Sequence, residues 1–391
     1  MKKIRLAIVS SHPIQYNAPM FALLAKSAVV EPKVFYTWSQ SKTTLFDKDF
    51  GHEIKWDIPL LEGYDYEFVN NISTNPGPGS FKGIDCPNLI QSIKAWKPTA
   101  ILVFGWNYKA HFNAMRYFKG KVPVYFRGDS TLIDEQGGYK QLIRRVFLTW
   151  VYHYVDGAFY VGKNNRAYFI KHGLKPEELT YAPHAIDNAR FSDVLANSEE
   201  LSAKWRNQLS IPLNAIVVLF VGKFEPKKNP LLLLQVALAM ESMGIHFVFV
   251  GNGVYENDMR LLADKQSYIH FLPFQNQSLM PEVYNMADIL ALPSQGPGET
   301  WGLVINEAMA CKLAVLSSTK VGASIDLVDI GVNGYVFESG SQNDCERCLR
   351  LMCADKNTLL KMKEESLKRI KAWSFAEIVK SIENQLITSK N

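Results

Sequence analysis

The segment PSQGPGETWGLVINEAMAC at 293–311 contains the residues whose types and spacing best indicate chemistry. It leaves the end of an apolar strand, passes through a glycine-rich turn and enters a helix that we predict to open near Gly302. The amides at a helix start lack helical partners and carry the positive end of the helix dipole. Glu299 precedes the helix, and Glu307 lies roughly 6 Å along its axis. The segment therefore predicts an anion site between two acids.

Two acids on either side of an anion site suit a nucleotide-diphosphate sugar. Glu307 would accept hydrogen bonds from both hydroxyls of a ribose whose diphosphate lies at the helix start. Glu299 would lie beyond the phosphates, where a sugar extends. The alternative interpretation is that Glu307 only complements the helix dipole and that Glu299 is an ordinary loop charge.

A loop with the sequence GKFEPKKNP adds positive charge to the same half of the chain. Gly222 ends a strand, Lys223 follows at its tip and Lys228 comes five residues later. Asn229 is a favourable N-cap residue, and Pro230 suits the first helical position. Backbone amides and lysine amines in a strand-to-helix loop favour phosphate. Two unrelated surface lysines remain the alternative.

Parallel sheets must position these loops. Ten short apolar runs alternate with helical stretches, and because the runs are apolar on both faces they predict central strands covered by helices. The runs are 4–9, 33–38, 100–105, 122–127, 157–162, 215–222, 245–251, 268–273, 288–293 and 313–318. Ten strands exceed one ordinary sheet, so we predict an α/β chain of two doubly wound Rossmann-like domains facing across a cleft. Ligands should bind beyond the carboxyl ends of the strands.

A polar stretch, SDVLANSEELSAKWRNQLS, separates the two sets of strands. We therefore predict one domain at 1–190 and a second at 191–372. The terminal segment 373–391 has apolar residues at helical spacing, and we expect this helix to pack back on the first domain.

Composition and charge exclude several classes of protein. The chain has 391 residues, of which 47% are hydrophobic and 21% charged, as in ordinary globular proteins. No apolar stretch reaches the roughly 18 residues of a membrane helix, and the five scattered cysteines fit reduced thiols, so we expect a cytoplasmic protein. The net charge of +5 is too small to indicate nucleic acid. Residues 1–190 nevertheless hold 24 Lys and Arg against 16 Asp and Glu, which suggests an anionic partner or only a chance bias of the surface.

The spacing from Glu299 to Glu307 resembles the E-x7-E signature of the retaining glycosyltransferases of family 4, which have GT-B architecture. Further segments resemble this family in the same order along the chain. They are the linker LTYAPHAIDNARF, VGKFEPKKNP, FVFVGNG, FLPFQNQSLMPEVYNMADILALPS and VGASIDLVDIGVNGYVFESG. The resemblance covers nearly the whole chain and is most specific between 215 and 338. Within the family, the chain resembles enzymes that build bacterial cell-surface polysaccharides.

The resemblance implies roles for the second-half residues. Lys223 and Lys228 would bind the donor diphosphate and stabilise the leaving group, although lysine at 223 replaces the commoner arginine. Glu307 would hold the ribose, and Glu299 the hydroxyls of the donor sugar. The remaining donor-binding residues would act mainly through backbone groups: Gly222, Phe274, Gln275, Trp301, Gly302, Leu303 and Val304.

The first half supplies candidates for the acceptor and for the reacting sugar. SSHPIQYNAP stands where the family often has a glycine-rich loop, so His12, Gln15 and Tyr16 would recognise the acceptor or donor sugar; a capped helix start is the alternative. In RGDST, the resemblance suggests Asp129 near the anomeric centre, with Arg127 as a phosphate or structural partner. A plain helix cap at Asp129 is the competing interpretation.

The segment GYKQLIRRVFLTWVYHYV at 138–155 is aromatic, apolar and basic. Such a helix can lie in a membrane interface, as it does in several relatives that reach lipid-linked acceptors. A core-packing helix with a basic edge is the alternative.

Together these observations predict a retaining, metal-independent glycosyltransferase. The donor would be a nucleotide-diphosphate sugar, UDP-linked rather than GDP-linked, and the acceptor a glycan or lipid-linked molecule at the inner face of the plasma membrane. No cofactor or divalent metal is expected, because DKD at 47–49 lies in a polar stretch rather than at the end of a buried strand. A nucleotide-sugar epimerase on the same architecture and a non-catalytic sugar- or lipid-binding protein remain alternatives.

Overall fold

A computed structural model describes residues 3–42, 45–47, 52–54 and 56–389. Lys48 and Asp49 of the DKD segment lie outside these residues. The chain forms two compact units. The first comprises Met1–Leu45, Ile58–His184 and Phe375–Asn391, and the second comprises Phe46–Asp57 and Ala185–Ser374.

The first division between the units lies six residues before the predicted boundary at 190. Asn188 and Arg190 explain the shift, because the Asn188 side chain donates to the Ile370 carbonyl at 3.2 Å and the guanidinium of Arg190 donates to Gln277, both within the second unit. Residues 46–57, which we predicted in the first domain, also belong to the second unit. There Asp57 accepts a hydrogen bond of 3.1 Å from the Ser278 amide.

The strands are short, and each of the ten predicted runs overlaps one of them. In chain order they are β1 (Ile4–Ser10), β2 (Val30–Tyr36), β3 (Leu45–Asp47), β4 (His52–Ile54), β5 (Asp65–Phe68), β6 (Ala100–Phe104), β7 (Val124–Arg127), β8 (Gly157–Tyr160), β9 (Leu179–Tyr181), β10 (Ile216–Val221), β11 (Ile245–Val250), β12 (Ile269–Leu272), β13 (Ile289–Leu292), β14 (Ala314–Ser318) and β15 (Gly334–Phe337).

The helices mostly connect successive strands. They are α1 (Ala18–Ala25), α2 (Leu89–Trp96), α3 (Lys109–Phe118), α4 (Tyr139–Tyr152), α5 (Lys163–Lys171), α6 (Asn188–Ser192), α7 (Ser198–Gln208), α8 (Pro230–Ala239), α9 (Glu256–Leu262), α10 (Met280–Asn285), α11 (Val304–Ala310), α12 (Ser324–Leu327), α13 (Gln342–Cys353), α14 (Lys356–Ile370) and α15 (Phe375–Thr388). Within the described residues, no helix has both the length and the hydropathy needed to cross a membrane.

Each unit is built on one parallel sheet. The first sheet has the order β5-β2-β1-β6-β7-β8-β9, and the second has the order β12-β11-β10-β13-β14-β15. In both sheets the chain runs outward to one edge and then returns to the middle to continue in the other direction. Two doubly wound α/β sheets are therefore present, as the sequence predicts.

The central strands are buried on both faces, which explains why their sequences are continuously apolar. On one side of the second sheet, α8 packs with Cys345, Cys348 and Leu349 of α13 in a single core cluster. All five cysteines are free thiols.

An ionic cluster fixes the amino end of β13. Asp288 accepts hydrogen bonds from the Val217 amide at 3.0 Å and from Arg206 at 3.1 Å, and it pairs with the Lys363 amine at 2.6 Å. Burial alone would raise the pKa of Asp288, but Lys363, Arg206 and the Val217 amide outweigh it and lower that pKa below its usual value. The cluster therefore joins α7 and α14 to the sheet.

We predict that Asp288→Asn lowers the free energy of unfolding by about 2 kcal/mol at neutral pH, because two cations lose a largely buried partner. The carboxylate stabilises the fold above its unfolded pKa, and this contribution disappears as the pH falls through the lowered folded pKa. The difference between wild type and variant in urea unfolding should therefore shrink below about pH 4. Glu365→Gln, which removes an exposed partner of Lys368, is the control and should change stability by less than about 0.5 kcal/mol. A pH-independent difference would contradict the assignment.

Candidate functional site

The second sheet reverses its strand order between β10 and β13. Loops at such a point diverge to opposite faces and leave a crevice beyond the carboxyl ends of the strands. Gly222 and Lys223 follow β10, and Ser294 leads from β13 toward Glu299. Both charged segments singled out from the sequence therefore border the same crevice.

The loop after β10 rests on the glycine turn after β11. The Phe224 amide donates to the Asn252 carbonyl at 2.9 Å. A Cβ atom at Gly251 would lie 2.0 Å from the Gly222 oxygen, and one at Gly253 would lie 2.5 Å from the Phe224 oxygen. Only glycine permits this approach, so the GNG turn supports the lysine loop.

Lys228 and Glu299 form a salt bridge across the two loops. The Lys228 Nζ lies 2.6 Å from the Glu299 Oε2, and their side chains are 16% and 6% exposed. The Ser294 hydroxyl donates to the same carboxylate oxygen at 3.0 Å. Ser318 and Ser339 in turn donate their hydroxyls to the Ser294 carbonyl. The two predicted residues thus neutralise each other within a hydrogen-bonded frame.

Gln295 fastens the same two loops together. Its amide donates to the Lys227 carbonyl at 2.9 Å, and its side-chain Nε2 donates to the Pro226 carbonyl at 2.8 Å. The Lys227 Nζ lies 4.0 Å from the position that a Cβ of Gly298 would take. Sequence reasoning missed both Gln295 and Lys227, because their placement depends on two loops that are far apart in the sequence.

The helix α11 begins two residues after the predicted start. Its first hydrogen bond runs from the Ile305 amide to the Gly302 carbonyl, at 2.9 Å. The amides of Gly302, Leu303 and Val304 therefore precede the helical ladder, as the anion-site interpretation requires. Gly302 has a φ of 97°, and a Cβ there would lie 2.9 Å from Val321. A larger residue would consequently shift this turn.

Glu307 and Trp301 are hydrogen-bonded to side chains of the same unit. The Tyr284 hydroxyl donates to the Glu307 Oε2 at 2.7 Å, and Glu307 is only 3% exposed. The Trp301 indole donates to the Asn306 side chain at 2.8 Å. Tyr284 therefore orients the carboxylate that was predicted to meet a ribose, and the indole of Trp301 serves the fold.

The turn after β14 clamps the acidic segment from the other side. The Gly322 amide donates to the Glu299 carbonyl at 3.0 Å, and the Ala323 amide donates to the Trp301 carbonyl at 2.9 Å. A Cβ atom at Gly322 would lie 1.7 Å from the Thr300 oxygen. Glycine at 322 is therefore a steric requirement for the position of Glu299.

The predicted base-binding residues follow β12. Asn252, from the glycine turn, accepts a hydrogen bond of 2.8 Å from the Phe274 amide through its side chain. The Gln275 side chain donates to the Pro273 carbonyl at 3.0 Å. Asn252, which sequence reasoning had seen only as part of a turn, therefore links this loop to the lysine loop.

The cap predicted at Asn229 is only partly present. Asn229 occupies the N-cap position of α8 and Pro230 the first helical position, but Asn229 has a φ of 50° and makes no side-chain capping bond. Its left-handed backbone turns the chain from Lys228 into the helix instead.

His12, Gln15 and Tyr16 lie between β1 and α1, at the point where the first sheet reverses its order. His12 Nδ1 and the Ser11 hydroxyl are 2.9 Å apart, and the ring meets Trp38 edge-on at 5.2 Å. Burial lowers the pKa of His12 to about 4. The imidazole is therefore neutral at physiological pH.

Arg127 and Asp129 follow β7 in the same unit. Arg127 is buried and donates to the carbonyls of Ala182 and Pro183, both at 2.9 Å, while burial lowers its pKa to about 10. Of the two roles predicted for Arg127, phosphate partner or structural partner, these hydrogen bonds to backbone carbonyls fit the structural one. Asp129 is half exposed, with its Oδ2 4.0 Å from the His184 Nε2. Asn165, which sequence reasoning missed, donates to the Ser130 carbonyl at 2.8 Å and fixes the loop.

The sequence matches known glycosyltransferases over part of its length. Residues 202–369 match the family model described as "Glycosyl transferases group 1". The chain is 29% identical over 202 residues to the D-inositol 3-phosphate glycosyltransferase of Geodermatophilus obscurus, which covers 48% of this chain and 43% of that protein. The Corynebacterium glutamicum protein of the same name is 26% identical over 208 residues, with 50% and 49% covered. The chain thus spans about half the length of these curated relatives.

Solved structures match nearly the whole chain. The Anabaena protein HepE in complex with UDP superposes with a TM-score of 0.73 at 17% identity, covering 99% of this chain and 100% of that chain. Sucrose-phosphate synthase from Thermosynechococcus elongatus gives 0.70 at 16% identity, with 99% and 100% covered. These likenesses show the GT-B fold. The resemblance to glycosyltransferases is confirmed by the family model over 202–369.

We predict that Gly322→Ala displaces the segment that carries Glu299, because the new methyl group would overlap the Thr300 oxygen. The expected loss in unfolding free energy is about 3 kcal/mol, typical of an overpacked site. Thermal unfolding measures it. Gly79→Ala is the matched control, since nothing lies within 4 Å of the added atom, and it should change stability by less than about 1 kcal/mol. Equal effects of the two substitutions would contradict the clamp.

Proposed function

From the group 1 glycosyl transferase segment at 202–369, we propose that the protein transfers a sugar from a nucleotide-diphosphate sugar to an acceptor hydroxyl. We further propose that transfer proceeds with retention, without a divalent metal, and from a UDP-linked donor. The curated relatives are named for glycosyl transfer, and a solved neighbour contains UDP. Both support the proposal.

The observation that carries the proposal is the salt bridge of Lys228 and Glu299 beside the start of α11, at the reversal point of the second sheet. An anion at that helix start would have amides before it and lysine amines beside it. Glu307 lies one turn into the helix, where a ribose would reach it. A site with a cation, an acid and helix amides in one crevice suits a diphosphate that carries a sugar at each end.

On donor binding, the two members of the salt bridge would contact different parts of the donor. The Lys228 amine would turn toward the diphosphate, and the Glu299 carboxylate would accept hydrogen bonds from the sugar hydroxyls. Lys223, at the tip of β10, would add a second positive charge. Because these lysines supply the positive charge that a divalent metal supplies elsewhere, the bond to the leaving nucleoside diphosphate can break without a metal.

Retention follows if the acceptor approaches from the face that the diphosphate leaves. The anomeric carbon–oxygen bond to the diphosphate breaks, and a donor phosphate oxygen takes the proton of the acceptor hydroxyl. The acceptor oxygen then bonds to the same face of the sugar. The protein contributes orientation and charge stabilisation rather than a separate base.

The first unit would bind the acceptor. His12, Gln15 and Tyr16 lie at the reversal point of its sheet, and Asp129 follows β7, two strands away from β1. We propose a glycan or lipid-linked acceptor in cell-surface polysaccharide synthesis, with the protein in the cytoplasm and in peripheral contact with the inner face of the plasma membrane through 138–155.

The deciding experiment combines a thermal-shift panel of nucleotide diphosphates and their sugars with product analysis. UDP and one UDP-sugar should raise the melting temperature, since ligands that bind only the folded state stabilise it. Incubation of that donor with candidate acceptors should give a glycoside with the donor's anomeric configuration. Isomerised sugar without transfer would instead establish an epimerase, and donor binding without any product would favour a non-catalytic protein.

We predict that Lys228→Ala weakens UDP binding about tenfold or more, as expected when a charge-assisted contact worth about 1.5–3 kcal/mol is lost. Uridine binding should stay nearly unchanged, and calorimetry measures both. Lys361→Ala, at an exposed lysine of α14, is the control and should leave both affinities intact. Lys228→Ala also leaves the Glu299 carboxylate unpaired. The double variant K228M/E299Q removes both charges, so its UDP affinity relative to its uridine affinity tests the phosphate contact without an unpaired carboxylate. Equal weakening of UDP and uridine would refute the phosphate role.

A further inference from the structure

A cavity lies at the amino end of the first sheet, whereas the loop that carries His12 follows the carboxyl end. Its volume is about 460 Å³, within the roughly 300–1,000 Å³ typical of small-molecule sites. It spans the starts of three neighbouring strands, β1, β6 and β7, and the carboxyl end of α15 forms one wall. Strand β1 has seven residues, so at about 3.3 Å per residue the cavity lies roughly 20 Å from the His12 loop. The cavity is therefore separate from the reversal point of this sheet.

The walls of the cavity are largely apolar. They include Ile4, Ala100, Pro123, Tyr125 and Leu386, of which all but Pro123 are buried. The Tyr125 hydroxyl donates to the Ser389 hydroxyl at 2.6 Å and so fixes the end of α15 against the sheet. The cavity thus has a formed interior in which an apolar group would be removed from water.

The charged residues that line this cavity are all basic. They are Lys3, Arg5 and Lys97, and no acidic residue lines it. The Lys3 amine donates to the Ser27 carbonyl at 2.7 Å. Among the residues that the structure describes, neither lysine has a carboxylate partner. The cavity therefore combines apolar walls with uncompensated positive charge.

Arg5 is held in place while its charge stays poorly neutralised. The centre of its guanidinium lies 4.4 Å from the centroid of the Trp96 ring. Its Nε is buried and forms no hydrogen bond within the described part of the chain. The Glu31 Oε1 lies 3.8 Å from that Nε, and the Glu31 side chain is 52% exposed. Since exposed ion pairs at such distances contribute little, the remaining guanidinium donors can serve a ligand.

An acid that lies close to the cavity is compensated by its own partners. Asp156 lines an adjoining depression, which shares Pro123 and Tyr125 with the cavity. Its carboxylate accepts hydrogen bonds from the Lys119 amine at 2.7 Å and from the Val124 amide at 2.8 Å. Asp156 therefore does not neutralise the basic residues of the cavity.

We propose that this cavity binds a small amphipathic anion, with its apolar chain between the strand starts and α15 and its charged head at Lys3, Arg5 and Lys97. An inorganic anion would leave the apolar walls in contact with water, and a neutral apolar molecule would leave the cations without a partner. A carboxylate or a phosphate monoester on a medium-length alkyl chain satisfies both, and a guanidinium can bind either head through two donors. The site goes beyond the proposed function, because none of the predicted donor or acceptor residues lines it.

The test is calorimetry of the full chain with octanoate, 1-octanol and octylammonium, which share an eight-carbon chain and differ in charge. Octanoate should bind at least tenfold more tightly than 1-octanol, and octylammonium should not bind. From butanoate to octanoate, the affinity should rise about two- to fourfold per methylene group, because each added group leaves water for an apolar wall. Octyl phosphate identifies the head group: either order of affinity relative to octanoate supports the site, and the tighter ligand names the head.

Substitutions in the cavity separate the two parts of the ligand. R5Q/K97Q should lower the affinity for octanoate at least tenfold and change that for 1-octanol less than twofold. Leu386→Ala should weaken both ligands, because it removes apolar contact from the wall. K82Q/K140Q removes the same charge at two exposed lysines outside the cavity and is the matched control, which should bind both ligands like wild type.

A second variant allows for the contact of Arg5 with Trp96, whose loss could disturb the fold. K3Q/K97Q changes only exposed lysines, so it should keep the wild-type melting temperature and still lower the affinity for octanoate about fivefold or more. If octanoate does not bind saturably, if its affinity ignores chain length, or if both basic-residue variants bind it like wild type, the inference is overturned.

Two further measurements exclude other sites. I143Q/V146Q alters two side chains of α4 that are each 65% exposed, and loss of octanoate binding in this variant would place the ligand on α4 and overturn the inference. All variants should keep the wild-type thermal shift with UDP, because the substituted residues lie in the first unit and the proposed donor site lies in the second. Failure of octanoate binding therefore leaves the donor proposal standing.

Discussion

The salt bridge between Lys228 and Glu299 is the constraint on which the second unit depends. Its members lie on loops that follow different strands, and a separation of 2.6 Å leaves little freedom to either loop. The glycines at 222, 251, 253, 302 and 322 make this approach sterically possible, because added Cβ atoms at most of them would overlap backbone oxygens or neighbouring side chains. The glycine pattern and the charged pair are therefore two parts of one requirement.

A largely buried ion pair is not in itself a source of stability, since both charges lose much of their hydration. Here the surrounding groups compensate. Ser294 donates to the carboxylate, Gln295 joins the two loops and Gly322 holds the backbone of Glu299. Such a frame holds the two loops in place before a ligand arrives, so binding would reorganise the Lys228 and Glu299 side chains but not the loops that carry them. This rigidity is what the proposed charge stabilisation of a leaving diphosphate would require.

The two sheets share a strand order but present different chemistry at their reversal points. The second offers paired charges and helix amides, whereas the first offers a neutral His12 beside Trp38 and a loop fixed by Arg127 and Asn165. The first unit also contains α4, whose large apolar side chains between 139 and 150 are mostly exposed. One topology thus supports a charged crevice in one unit and an aromatic, partly apolar surface in the other, because the loops rather than the strands differ.

The sequence by itself determined the central strands, the two α/β sheets and the positions of Lys223, Lys228, Glu299 and Glu307, since continuous apolar runs and loop residues are local signals. It missed β5 and β9, which lie at sheet edges and have few apolar residues, and it missed β3, β4 and β15, which are only three or four residues long. It also could not show that Lys228 pairs with Glu299, that Gln295 joins their loops, or that α4 turns its apolar side outward. Helical spacing shows that a helix has an apolar side, but only tertiary packing decides what covers it. Contacts between distant loops likewise depend on how the sheet brings strand ends together, and no short stretch of sequence encodes that.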